Sequence, residues 1–319
     1  MPDAQEPLSS LSCAVPSRSR GLAFALLAYV AWGFFPVYFK ALRHVPAVEV
    51  LSHRVVWSVV LLAVATPLLG RWATTLHALG PRTRLLLVTS AALIAANWGT
   101  YIWAVQAGRV LQASLGYFVN PLVSVLLGVV FLRERLRRVQ GWAIALAAVG
   151  VGALVADRGE LPWLPLVLAL TFGLYGLVRK RAGVDPVGGL LAETALLAPL
   201  ALGHVAILAA RGTGAFGGDP WTTLLLVAAG PVTAVPLVWF ALGVRNLPLS
   251  TVGLLQYVTP TLQFLLAVLV YGEAFTRAHG IAFACIWSAL ALYSLDSLRA
   301  ARQGAPPQDA TPSTPPVEA

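Results

Sequence analysis

Charge is scarce in this chain of 319 residues: 11% of positions are Asp, Glu, Lys or Arg and 58% are hydrophobic, against roughly a quarter and a half in a water-soluble domain. Water is not the main solvent of such a fold. Lysine is nearly missing, two residues beside twenty arginines, and the two follow Phe39 and Arg179. No Gly-Lys pair exists for a Walker phosphate cradle, so ATP hydrolysis of that kind is excluded. The two cysteines, Cys13 in a polar segment and Cys285 inside an apolar run, allow no CxxC site and lead us to expect no disulfide. HExxH and GxSxG are also absent. These gaps argue against an enzyme and against any metal or other cofactor. The net charge of +9 does not indicate nucleic acid, because the basic residues stand in short groups between apolar runs.

What the chain has in abundance is long apolar segments. A helix needs about 20 mostly apolar residues to cross a bilayer. Runs of that kind fall near residues 21–42, 48–70, 85–107, 112–132, 140–156, 162–178, 187–209, 221–243, 251–271 and 279–298. The expected fold is an all-α integral membrane protein of ten transmembrane helices. Residues 1–20 read as a polar tail and 299–319, rich in proline, as a disordered one. With the N-terminus in the cytoplasm, fifteen basic residues fall in cytoplasmic segments and six outside, with Arg54 inside a span. The positive-inside rule then places both termini in the cytoplasm, as expected of a multi-pass inner-membrane protein.

The halves resemble each other. At an offset of 139 Pro121 meets Pro260, Glu134 meets Glu273, Arg138 meets Arg277 and Gly141 meets Gly280; at 140 Gly33 meets Gly173, Lys40 meets Lys180 and Pro46 meets Pro186. Two repeats follow, 21–158 and 159–298, each of five spans. An odd number turns the second upside down relative to the first, the inverted-repeat plan of many secondary transporters.

Motifs in both halves carry a family resemblance. FVNPLVSVLLGVVFLRERL (118–136) and YVTPTLQFLLAVLVYGEAF (257–275) are similar to the paired signature of the EamA family in the drug/metabolite transporter superfamily. HRVVWS (53–58), NWGTYIWAV (97–105), ASLGYFVNPL (113–122) and LSTVGLLQYVTPT (249–261) resemble its RarD-type permeases. The resemblance implies a central cavity built from spans 1–4 and 6–9, with spans 5 and 10 peripheral, and efflux of a small organic metabolite or drug-like solute. The competing class is a membrane protein that transports nothing, such as a lipid-handling enzyme or a sensor.

Polar residues inside spans are the candidates for a site, because a charge at the bilayer centre costs at least about 2.5–3.5 kcal/mol unless it meets water or a partner. Arg54 in the second span either snorkels, forms an ion pair or binds a polar or anionic solute. His53 and Glu193 occupy equivalent positions in the two halves and are candidates for proton coupling; Glu193 could equally pair with Arg54. On the fourth span Ser114, Tyr117 and Pro121 share one helical face, and Gln256, Pro260 and Gln263 are the equivalents of Tyr117, Pro121 and Ser124. Asn120 and Thr259 precede the two prolines, which read as helix breaks near the midplane. Trp57, Asn97 and Tyr101 complete the expected cavity lining. Glu134 with Arg138 and Glu273 with Arg277 have the spacing of helical ion pairs. Small residues at 147–153 suggest close packing, inside the bundle or between the subunits of a homodimer.

Overall fold

The fold is described from a computed structural model, for residues 18–68, 80–133, 137–159, 161–184, 186–244, 247, 251–252 and 255–302. Those residues form an all-helical bundle: α1 (Arg18–Gly33), α2 (Phe35–Ala41), α3 (Ala47–Leu68), α4 (Pro81–Gln106), α5 (Val110–Leu132), α6 (Arg138–Arg158), α7 (Trp163–Ala182), α8 (Pro186–Arg211), α9 (Pro220–Val244), α10 (Val258–Leu265) and α11 (Arg277–Arg302). A π-helical turn, Leu266–Val270, continues α10. Among the described residues nine helical segments are long and apolar enough to cross a membrane, and Val258–Val270 is a shorter apolar one. Large apolar side chains such as Trp142, Leu200 and Leu269 stand more than two-thirds exposed on the outside. Lipid tails solvate such a surface, so no amphipathic stripe is needed. Both chain tails lie largely, and Glu134 wholly, outside the described residues.

The neighbours recur when each span is exchanged for the fifth one along. α6 lies on α11, α3 on α8 and α5 on α10. α7 packs on α4 and α5 as α1 packs on α9 and α10, and α3 meets α9 as α4 meets α8. α6 and α11 touch mainly each other, at the edge of the bundle. The small-residue stripe of α6 is used there: a Cβ on Gly150 would lie 3.0 Å from the Ala282 carbonyl oxygen of α11.

Close crossings elsewhere also rest on glycine. A Cβ on Gly230 of α9 would come within 2.5 Å of the Trp57 carbonyl carbon on α3, a backbone atom that cannot swing aside. Gly230→Ala is therefore expected to destabilise the bundle by about 1–3 kcal/mol. A lowered melting midpoint of the purified protein in detergent is the measurement; an unchanged midpoint would mean that α3 and α9 slide apart freely.

Among the described residues, two spans are not continuous helices. The first span breaks at Phe34, whose φ of −88° and ψ of 1° end α1, and α2 begins at Phe35 with Pro36 in its first turn. Proline has no amide hydrogen, so the carbonyl four residues back, on Trp32, loses its helical partner. Gln263 Nε2 donates to that carbonyl at 3.1 Å, and the Thr259 hydroxyl donates to the Tyr29 carbonyl at 2.7 Å. In the ninth span the turn at Gln256 and Tyr257 precedes α10, so the interruption comes before Pro260. The expected break at Pro121 is absent, because α5 runs unbroken from 110 to 132 through the proline.

One end of the bundle is tied by bonds between distant segments. Gln106 Nε2 donates to the carbonyls of Leu42 and Val45 at 3.0 Å each. Glu49 accepts the Ala215 amide hydrogen at 2.6 Å. Asp219 caps α9 by accepting the Thr222 amide hydrogen at 2.7 Å, and these bonds hold its carboxyl below the usual range. Thr222 Oγ1 in turn lies 2.9 Å from His44 Nε2.

Candidate solute site

Arg54 lies on α3 in the middle of the bundle, 4% exposed. Its guanidinium carbon sits 4.0 Å from the centre of the Trp98 ring, with Phe35 and Phe39 at 5.7 and 5.8 Å. Tyr38, Tyr101 and Tyr117 are its electrostatic neighbours. A desolvated cation over an aromatic face gains about 2 kcal/mol. Among the described residues no carboxylate forms an ion pair with Arg54, and its Nε is buried without an acceptor. The snorkelling alternative fails on burial, and the alternative of a bridge to Glu193 fails on geometry.

Glu193, fully buried on α8, has its own partners. It accepts hydrogen bonds from the hydroxyls of Ser90 at 2.7 Å and Tyr175 at 3.2 Å, and Arg179 Nε lies at 3.6 Å. Gly189 makes room for the arginine, since a Cβ there would collide with the Arg179 guanidinium. This group joins α4, α7 and α8. His53 faces elsewhere, stacked on Phe216 with ring centres 4.9 Å apart and its Nε2 buried without a partner.

Several expected lining residues tie helices together. Asn97, fully buried, donates from Nδ2 to the Leu168 carbonyl at 3.0 Å and to Thr171 Oγ1 at 2.9 Å. Its Oδ1 accepts the Tyr117 hydroxyl at 3.3 Å, and Tyr117 meets Tyr101 edge to face. Ser114 bonds back to the Leu111 carbonyl of its own helix at 2.8 Å. Gln256 is half-buried in the turn before α10, so it does not mirror Tyr117 on a helix face. Asn120 keeps a buried, unpartnered Oδ1, and the half-buried Trp57 an unpartnered Nε1. Arg54, Tyr101 and Tyr117 come together, with Gln263 beside Tyr101. Tyr38, Phe35 and Phe39 were missed; the run Gly33-Phe-Phe-Pro36, a helix breaker flanked by aromatics, was their signal.

The ion pair expected between Glu273 and Arg277 is not formed. α11 starts only at Arg277, so no helical turn joins the two. Glu273 instead accepts the amide hydrogens of Val110 and Leu111 at 2.8 Å each, at the N-terminus of α5. Lys40 lies close enough to favour its charge and stands 3.6 Å over the Tyr271 ring. Arg138 is exposed at the start of α6.

Helices that cross a membrane and a buried cation among aromatic rings define a polytopic membrane protein with a polar centre. Residues 19–156 match the EamA-like transporter family. An uncharacterized transporter of Vibrio cholerae is 49% identical over 88% of this chain and 94% of its own length. Protein RarD of Escherichia coli is 43% identical over 89% and 97%, and the chloramphenicol-sensitive protein RarD of Pseudomonas aeruginosa 37% identical over 90% and 97%. A crystal structure 21% identical in sequence covers 89% of the chain at a TM-score of 0.58 and shares the fold. The chain belongs to the EamA-like transporter family, in the group that contains the RarD proteins.

Proposed function

We propose that the protein is a secondary transporter that exports a small organic solute by alternating access, with Arg54 at the binding site. The observation that carries the site is a buried cation with no carboxylate partner among the described residues, in the centre of a bundle from a transporter family. Burial of that kind is costly, and a bound solute is what offsets it. Two inverted five-span repeats fit the return of the same neighbours when the halves are exchanged. In this reading both termini are cytoplasmic, the membrane is the inner one, and the tied end of the bundle faces outward. Glu193 and His53 are the proton-exchanging candidates; a carboxyl held by two hydroxyls and an arginine can change charge only when those helices separate. A homodimer has less support, since Gly150 in the small-residue stripe of α6 is engaged by α11.

Export is tested by comparing solutes in the medium of overexpressing and deletion cells, followed by purified protein in sealed vesicles. A solute enriched outside the overexpressing cells and carried by the vesicles is the expected result. No difference in either measurement would favour a membrane protein that transports nothing. Reporter fusions after residues 211 and 302 are expected on opposite sides, and the same side for both would overturn the inverted plan.

A further inference from the structure

We propose that the Arg54 site selects organic monoanions with a broad apolar body, of the aromatic monocarboxylate class. The proposal rests on the transport reading above and adds the charge and shape of the solute.

The charge follows from what surrounds Arg54. Its walls are the rings of Trp98, Phe35 and Phe39, which supply no formal negative charge. The polar groups nearby are neutral: Tyr38, Tyr101 and Tyr117. One positive charge in a low-dielectric interior is balanced by one negative charge. A dianion would leave an excess charge of its own, and a cation would meet Arg54 with repulsion. A zwitterion would satisfy the arginine but bring an ammonium, and the charged or polar groups that act on Arg54 are three tyrosines with no carboxylate among them. A carboxylate matches the planar N–H fork of arginine, and Arg54 Nε is one such donor left open.

The body of the solute follows from the walls. The Tyr101 hydroxyl and Gln263 Oε1, both buried, lie beside each other and serve one another as donor and acceptor, so they add no open polar group to the site. The aromatic rings around Arg54 favour a flat apolar body over a short aliphatic one.

The test uses purified protein and five probes: phenylacetate, acetate, phenethylamine, phenylalanine and phthalate. Melting midpoints in detergent and flux into proteoliposomes are both read. Phenylacetate alone is expected to raise the midpoint saturably and to be carried. In Arg54→Met its affinity should fall at least about 30-fold, as expected when one partner of a buried charge pair is truncated. A normal melting curve of the variant shows that the loss is not unfolding. Binding of phenethylamine or phenylalanine as strong as that of phenylacetate would overturn the proposal, as would phenylacetate binding that survives in Arg54→Met. If none of the probes binds while the comparison of media finds an exported cation or zwitterion, the substrate class is wrong and transport stands.

Discussion

Replacing Arg54 with methionine is expected to abolish transport and at the same time to leave the protein as stable as before or more so. The two effects have one cause. Arg54 is buried among aromatic rings without an ion-pair partner among the described residues, so the folded protein bears most of the cost of dehydrating its charge. Methionine has a similar length, fills the space and removes the charge, and exchanges of buried charge for apolar volume are often stabilising by about 1–4 kcal/mol. Rings within 6 Å offset part of the cost, about 2 kcal/mol at best, which keeps the expected gain at the lower end of that range. A residue kept for structure behaves oppositely, since deleting one member of a buried network costs stability. Melting the variant beside the parent and assaying both in vesicles separates these cases. A destabilised variant that still transports would mean that Arg54 holds the bundle together and that the site lies elsewhere.

The spans were legible in the sequence because the bilayer imposes one strong demand, about 20 apolar residues per crossing, and few other segments meet it. Nine of the ten runs correspond to helices of membrane length and the remaining one to the shorter Val258–Val270 segment. Arg54 was legible for the same reason, as an expensive charge in an apolar run. The roles of the uncharged polar residues were not. A threonine or glutamine inside a span has the same sequence signature whether it faces a solute or a neighbouring backbone. Thr259 and Gln263 serve the broken first span, more than 200 positions away. Glu193 finds Arg179 within reach because α7 and α8 both pack on α4, not through any helical spacing. The pair Glu273 and Arg277 had the right spacing but no helix to carry it.

Glu273 controls the tied end of the bundle, and its loss is expected to open that end. Its carboxylate accepts two amide hydrogens at the start of α5, where the positive end of the helix dipole adds to the attraction. Hydrogen bonds to a charged group are worth about 1.5–3 kcal/mol each, less for a half-exposed pair. In Glu273→Ala the two amides lose their acceptor and α5 is freed from the segment that leads into α11. A cysteine placed at Leu111, in a chain lacking Cys13 and Cys285, should then react several-fold faster with a polar thiol reagent. Burial is the main effect on the Glu273 carboxyl and pushes its pKa up, against the amide bonds and Lys40, which pull it down. The tied state therefore binds the proton more readily than an opened state in which the carboxyl meets water. Linkage gives the sign: acid favours the tie below the ordinary glutamate range, and the advantage fades as pH rises through the raised value. Labelling at position 111, divided by that of Glu273→Gln at each pH, should increase from acid to neutral pH. A flat ratio would show that the carboxyl stays ionised in both states, and equal labelling of Glu273→Ala and the parent would show that α5 is held at this end by other contacts.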